Sequence, residues 1–293
     1  MTVITGVPKM IIYETDMCLD ADDVGALAML HGLANNKEVD LLAVCFNEVH
    51  PSGAAAIDAI NTWYGRGDIP VGIYKKDLPD PDKSFYLDAL IKFPHVLDQN
   101  SAPGAVEVYK KVLSKQPDKS VTIISVGFIV NLYDLLKEEP ELVARKVVEL
   151  VIMGGPDGGG FNLSRHNTCS SSQYLLANWP TPIVFSGAGS GIYTGPRLEN
   201  TPKKNPIREA YYRFFDSNFC GRHSWDQIAV LYGVRGVSDY FTNLESVDRW
   251  NLKPGMRSSF KTRLSKAEYA RIIEDLMVDP TLKNNVSSFR DTF

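Results

Sequence analysis

Short runs of Val, Ile, Leu and Met alternate along this chain with longer segments whose apolar residues recur every three to four positions. Runs at 9–13, 39–46, 69–74, 121–125, 147–153 and 182–186 predict strands. Between them, 24–33, 52–63, 106–113, 129–136, 140–145 and 170–178 predict helices. Helical segments between Val- and Ile-rich runs are the pattern of parallel strands covered on both faces. After Gly195 the strand signal weakens and helical patterns dominate, at 206–219, 225–232 and 266–277. No internal repeat, low-complexity tract or long linker interrupts the 293 residues. The predicted fold class is α/β: one domain over 1–293, an open, mostly parallel sheet flanked by helices, with a more helical C-terminal part.

In such sheets ligands bind outside the carboxyl ends of the strands. Polar or glycine-rich stretches follow four predicted strands, at 14–23, 47–52, 154–162 and 186–191, and Gly127 and Asn131 follow a fifth. The first stretch places Glu14, Asp16, Asp20, Asp22 and Asp23 within ten positions. Carboxylates converge only if a cation neutralises them or their pKa values rise. Oxygen ligands of this kind suit Ca²⁺ or Mg²⁺. An EF-hand is excluded, because a loop starting at Asp20 puts Val24 at its fifth position and His31 at its twelfth. The alternative is a solvated loop whose acids favour the dipole of the next helix.

Composition narrows the partners. Lys and Arg total 31 against 35 Asp and Glu, so a net charge of −4 leaves no footprint for nucleic acid or an anionic membrane. No apolar run reaches the ~20 residues that span a bilayer. Cys18, Cys45, Cys169 and Cys220 form no CxxC pair, and the N-terminal residues do not read as a signal peptide. Reduced thiols and a cytoplasmic location are expected.

The acidic stretch resembles the N-terminal signature of the inosine–uridine-preferring nucleoside hydrolases. That signature is a strand, Asp-Thr-Asp, a short loop, then Asp-Asp before a helix beginning Ala-Leu. Here it stands as Glu14-Thr15-Asp16, then Asp22-Asp23 before Val24-Gly25-Ala26-Leu27. Further stretches follow in the family's order: Asn47, YGRGDIPVG at 64–72, SVGFIVNLYDLL at 125–136, VIMGGPDGGGFN at 151–162, NWPTPIVFSG at 178–187 and SWDQIAVLYGVRG at 224–236. The resemblance covers roughly residues 9–240 and implies a nucleoside-hydrolase-like sheet.

It also implies a calcium-dependent N-ribohydrolase acting on a nucleoside or related N-riboside. Asp16 and Asp23 would ligate Ca²⁺ with the carboxylate of Asp226 and the backbone carbonyl of Val130, where only the carbonyl is needed. Asp22 would be the general base for water, and Asn47 and Asn162 would hydrogen-bond the ribose. Members of the family usually form homodimers or homotetramers.

The chain departs from the family in four places. Glu14 replaces an Asp and is expected behind the metal ligands. The loop from Asp16 to Asp22 is two residues longer than in the best-known members, which adds Asp20, expected to cap the helix. Gly160 stands where the family has a Glu that grips the ribose 5′-hydroxyl, so a substrate whose 5′ end is modified, absent or bulky is expected. Arg165 and His166 just downstream are either receivers of a 5′-phosphate or surface loop residues. Trp225 replaces a leaving-group His; it can stack on a base, and His223 is a candidate acid. Tyr211, Tyr212, Phe214 and Phe215 recur at helical spacing and read as core more readily than as a base pocket.

Two rivals follow: a member that keeps fold and metal but binds another ligand without catalysis, and a hydrolase of a non-nucleoside riboside.

Overall fold

The computed structural model of the protein describes residues 6–155, 159–242, 245–246 and 257–278. Of the glycine-rich stretch at 154–162, residues 156–158 lie outside the described residues.

Strand β1 (Lys9–Thr15) lies inside the main sheet, and most of its parallel strands are joined through helices. It continues through α1 (Asp22–Asn35), β2 (Val39–Phe46), α2 (Gly53–Trp63), β3 (Val71–Ile73), α3 (Leu87–Leu90) and α4 (Ala105–Leu113). Then come β4 (Val121–Ser125), α5 (Val130–Glu138), α6 (Pro140–Lys146), β5 (Val147–Met153), α7 (Cys169–Asn178) and β6 (Ile183–Ser186). The C-terminal part holds β7 (Tyr193–Thr194), α8 (Pro206–Phe214), β8 (Arg222–His223), α9 (Trp225–Arg235), β9 (Glu245–Ser246), β10 (Arg257–Ser259) and α10 (Lys266–Met277).

The main sheet runs β3-β2-β1-β4-β5-β6-β10-β9, parallel at every junction except the last. Strand order reverses at β1, with β2 and β3 on one side and β4 to β6 on the other. The crevice at such a reversal is where open α/β sheets bind ligands. Here it lies between the carboxyl ends of β1 and β4, which lead into Asp16 and Val126.

The period of two along β1 divides its side chains between two cores. Ile11 and Tyr13 join Leu27, Leu30, Ile228 and Ile273 on the side of α1, α9 and α10. Ile12 joins Tyr109, Leu132 and Leu175 on the side of α4, α5 and α7. Helix α1 is buried from Asp22 through Leu33, as expected of a helix apolar on all sides. Its Gly32 admits the Leu276 carbonyl of α10 where a Cβ would collide with it.

The α/β reading holds, with local differences. Helix α8 ends at Phe214, short of 219, because Asp216 and Ser217 turn to positive φ. Strand β10 lacked an apolar signal: Arg257-Ser258-Ser259 is polar, yet it pairs with β6 and is buried. Among the described residues, no helix is long and apolar enough to cross a membrane.

Replacing Gly32 by Ala is expected to force α1 and α10 apart and cost about 1–3 kcal/mol, the usual penalty of overpacking. A thermal melt should show a Tm several degrees lower; an unchanged Tm would contradict this close approach.

Candidate active site

The alternation of β1 continues into its last two residues. Glu14 shares the face of Ile12 and is buried among α4 and α5. It accepts hydrogen bonds from Asn47 Nδ2 at 2.9 Å, Asn131 Nδ2 at 2.7 Å and the Tyr109 hydroxyl at 2.6 Å. Burial pushes its carboxyl up to about 7, against these three donors. Thr15 shares the face of Tyr13 and meets α1: its hydroxyl donates to Asp23 Oδ1 and accepts the Met17 N–H at 3.1 Å. The Tyr13 hydroxyl donates to the Asp23 carbonyl at 3.1 Å.

Beyond these residues opens a cavity of about 440 Å³, a volume suited to a small ligand. Asp16, Asp22, Asp23 and Asp226 share its wall. Asp22 and Asp23 occupy the first turn of α1, and Asp226 the first turn of α9. The positive ends of both helices favour negative charge there. Burial outweighs that help. It pushes Asp16, Asp22 and Asp226 well above the usual carboxylate range and Asp23 up to about 7, and neighbouring acids add to each shift. Asp226 Oδ1 is buried with no hydrogen-bond partner among the described residues.

Opposite the acids stands Arg222 of β8. Its Nη2 is 2.5 Å from Asp20 Oδ2 and its Nε is 3.1 Å from Asp22 Oδ1. The guanidinium lies 4.8 Å above the Trp225 ring. Asp20 therefore does not cap α1; the cap position is Ala21, without a side-chain bond, and Asp20 pairs with Arg222. Sequence reasoning missed Arg222, which is 200 residues from Asp22 with no motif around it.

No protein-family model and no curated protein matches the sequence. Solved structures do match over nearly the whole chain. An inosine–uridine-preferring nucleoside hydrolase from Bacillus anthracis superposes with a TM-score of 0.69 at 16% identity, over 92% of this chain and 99% of that one. A plant nucleoside hydrolase gives 0.67 at 15%, over 93% and 100%. The type III effector protein XopQ, complexed with adenosine diphosphate ribose, gives 0.69 at 16%, over 96% of each chain. The chain has a nucleoside-hydrolase-like fold.

Within that fold, the structure places the expected residues unevenly. Asp16, Asp22, Asp23, Asp226, Asn162 and Trp225 all line the cavity. Asn47 does not: its amide donates to Glu14 and its carbonyl accepts the Phe128 N–H at 3.1 Å. Val130 is also absent from the wall, packed in the first turn of α5 with Phe128 and Leu78. Val126, directly after β4, lines the cavity instead, and its carbonyl accepts the Asn162 amide.

His223 lies behind Trp225, with ring centroids 4.7 Å apart, and its Nδ1 accepts the Gly191 N–H at 2.8 Å. Arg165 and His166 are not on the cavity wall: Arg165 pairs with Asp82, and the His166 side chain is buried beside Glu48 and Asp82. His166 is therefore not a surface loop residue, while the Arg165 side chain stays 31% exposed.

Gly160 lies on the rim with φ 127° and ψ 176°, backbone that only glycine adopts readily. A Glu could not stand there without rebuilding the loop. Beside it Phe161 lines the cavity and is 52% exposed, so the rim offers an aromatic face where the family has an acid.

Glu14→Ala would orphan the Asn47 amide and the Tyr109 hydroxyl. An unmet buried donor costs about 1–3 kcal/mol, so a clear drop in denaturation midpoint is expected. An unchanged midpoint would mean that the network does not support the end of β1.

Proposed function

We propose that the protein is a hydrolase of N-glycosidic bonds, a calcium-dependent N-ribohydrolase acting on a nucleoside or related N-riboside. The observation that carries this reading is the convergence of Asp16, Asp22, Asp23 and Asp226 in one cavity at the reversal of strand order, with an unpartnered oxygen on Asp226. An oxygen-only donor set holding unmet negative charge fits a hard divalent cation. Asp16, Asp23 and Asp226 would hold it, with the carbonyl of Val126 supplying the main-chain oxygen first sought at Val130. Calcium bound there would orient the ribose diol and the attacking water and lower the water's pKa.

The chain's own groups do the rest. Asp22 takes the water's proton, and the adjacent Arg222 favours its ionised form against burial. The carboxylates oppose the positive charge that develops on the ribose as the bond to the base breaks. Asn162 and Trp225 line the wall; Asn162 would bond the sugar and the Trp225 ring would stack on the leaving base. With Gly160 in place of an acid and Phe161 beside it, the substrate's 5′ end is modified, absent or bulky.

A second reading is a repurposed, non-catalytic ligand-binding member. The Arg222–Asp22 pair, which occupies the proposed base, favours it, as does the likeness to an effector complexed with adenosine diphosphate ribose.

One assay separates them: sugar release from a panel of ribosides, with calcium titrated, on wild type and Asp22→Ala. Hydrolysis that needs calcium and falls about 10²–10⁴-fold in Asp22→Ala is expected, the usual contribution of a general base. Undiminished turnover in the variant would remove Asp22 as base. Calcium binding with no sugar released from any riboside would favour the binding protein, and release from non-nucleobase ribosides alone would mark a different hydrolase.

The rim is probed separately with inosine, inosine 5′-phosphate and a 5′-deoxy nucleoside. Either modified substrate should match or exceed inosine. A clear preference for plain inosine would overturn the reading of Gly160.

A further inference from the structure

We propose that Glu48, Asp82 and His166 form a second cation site, separate from the acidic cavity, that takes a divalent first-row transition metal of zinc size. The three residues come from different segments: Glu48 follows β2, Asp82 lies between β3 and α3, and His166 lies between β5 and α7. Their side chains are almost wholly buried, at 0%, 4% and 1% exposure respectively. They group their ligand atoms closely enough to hold one ion.

The histidine is what points to a cation. His166 Nδ1 lies 2.8 Å from the Pro79 carbonyl, which can only accept, so Nδ1 carries a proton. In neutral imidazole the other nitrogen then presents a lone pair. That nitrogen, Nε2, makes no hydrogen bond among the described residues, although Glu48 Oε2 is 3.3 Å away and Asp82 Oδ2 is 3.5 Å away. With Nε2 unprotonated, three acceptor atoms face one another in a buried space, an arrangement that positive charge between them would relieve. Ligands bonded at about 2.1 Å in a tetrahedron stand about 3.4 Å apart, and the two measured separations match that spacing. One imidazole nitrogen with two carboxylate oxygens suits zinc or manganese better than calcium, which prefers oxygen at longer range.

The surroundings orient each ligand, as outer partners of metal sites do. Pro79 fixes the imidazole. Glu48 Oε1 accepts the Val49 N–H at 2.8 Å and Oε2 accepts the Asp82 N–H at 3.3 Å. Arg165 pairs with the Asp82 carboxylate. An open cavity bounded by Pro79, Asp80, Arg165 and His166 gives the ion a route in. The site also touches the rim of the acidic cavity: the Phe128 ring meets the His166 ring edge-on at 4.5 Å and the Phe161 ring at 6.4 Å. An ion here would clamp three loops behind Phe161. Its role is to hold the rim, independent of any hydrolase chemistry.

The test uses the full chain, stripped of metal by a chelator and then kept in excess Ca²⁺ to fill the acidic cavity. Co²⁺ is titrated in while its visible d–d absorption is followed, with Zn²⁺ as competitor. The expected result is one equivalent of Co²⁺ with the intense bands of a four-coordinate site, displaced by Zn²⁺. Affinity should fall more than about tenfold, the loss that even an outer partner of a ligand can cause, in both His166→Gln and Glu48→Gln. Asp23→Asn should leave the bands unchanged.

A folded wild type that develops no cobalt bands would overturn the proposal whatever the variants do, and would assign the cluster to an imidazolium paired with two carboxylates. Bands that survive in both variants, or vanish in Asp23→Asn, would also overturn it. Anomalous scattering from cobalt-soaked wild-type crystals provides a readout free of any folding defect: density must fall between the three side chains.

Discussion

Gathering like charges at buried positions around one cavity is costly, and the rest of this molecule is arranged around that cost. Asp16, Asp22, Asp23 and Asp226 share one wall, and burial raises the pKa of each. Partial offsets come from every side. The first turns of α1 and α9 present their positive ends, the Thr15 hydroxyl donates to Asp23, and Arg222 pairs with Asp22. One oxygen of Asp226 receives no hydrogen bond among the described residues. Burial and the mutual repulsion of the acids still outweigh these offsets.

The scaffold that tolerates this is stiff behind the acids. The Glu14 carboxylate ties β1 to the end of β2 through Asn47, to α4 through Tyr109 and to α5 through Asn131. An extra methylene relative to the Asp of the family signature lets this side chain reach across the helical layer. It thereby fixes the strand end from which Asp16 projects. Asn47 belongs to that support, which is why it is not at the cavity.

The same architecture serves nucleoside hydrolases and an effector protein, at about 16% identity to this chain in each case. Fold alone therefore does not select an activity; the site's own residues must. Those residues point two ways at once. The acids stand on the cavity wall, while the rim carries Gly160 and Phe161, and Arg222 sits against the proposed base. A hydrolase of an altered substrate and a binding protein differ in what happens at Asp22 alone.

Much of this was legible in the chain. Alternation of Val- and Ile-rich runs with helical segments determined the parallel sheet, because burial on both faces demands such runs and helices must cross over. The spacing of Asp16, Asp22 and Asp23 determined that a strand end and a helix start would bring acids together. These are local properties, carried by period and by turn chemistry. Arg222 on Asp20 and Asp22, Val126 on the cavity wall with its carbonyl on the Asn162 amide, and His166 turned toward Glu48 and Asp82 were decided only by the tertiary structure. Each depends on segments tens to hundreds of residues apart meeting at one depth and one angle. No local pattern encodes such a meeting, because it is set by how the layers pack.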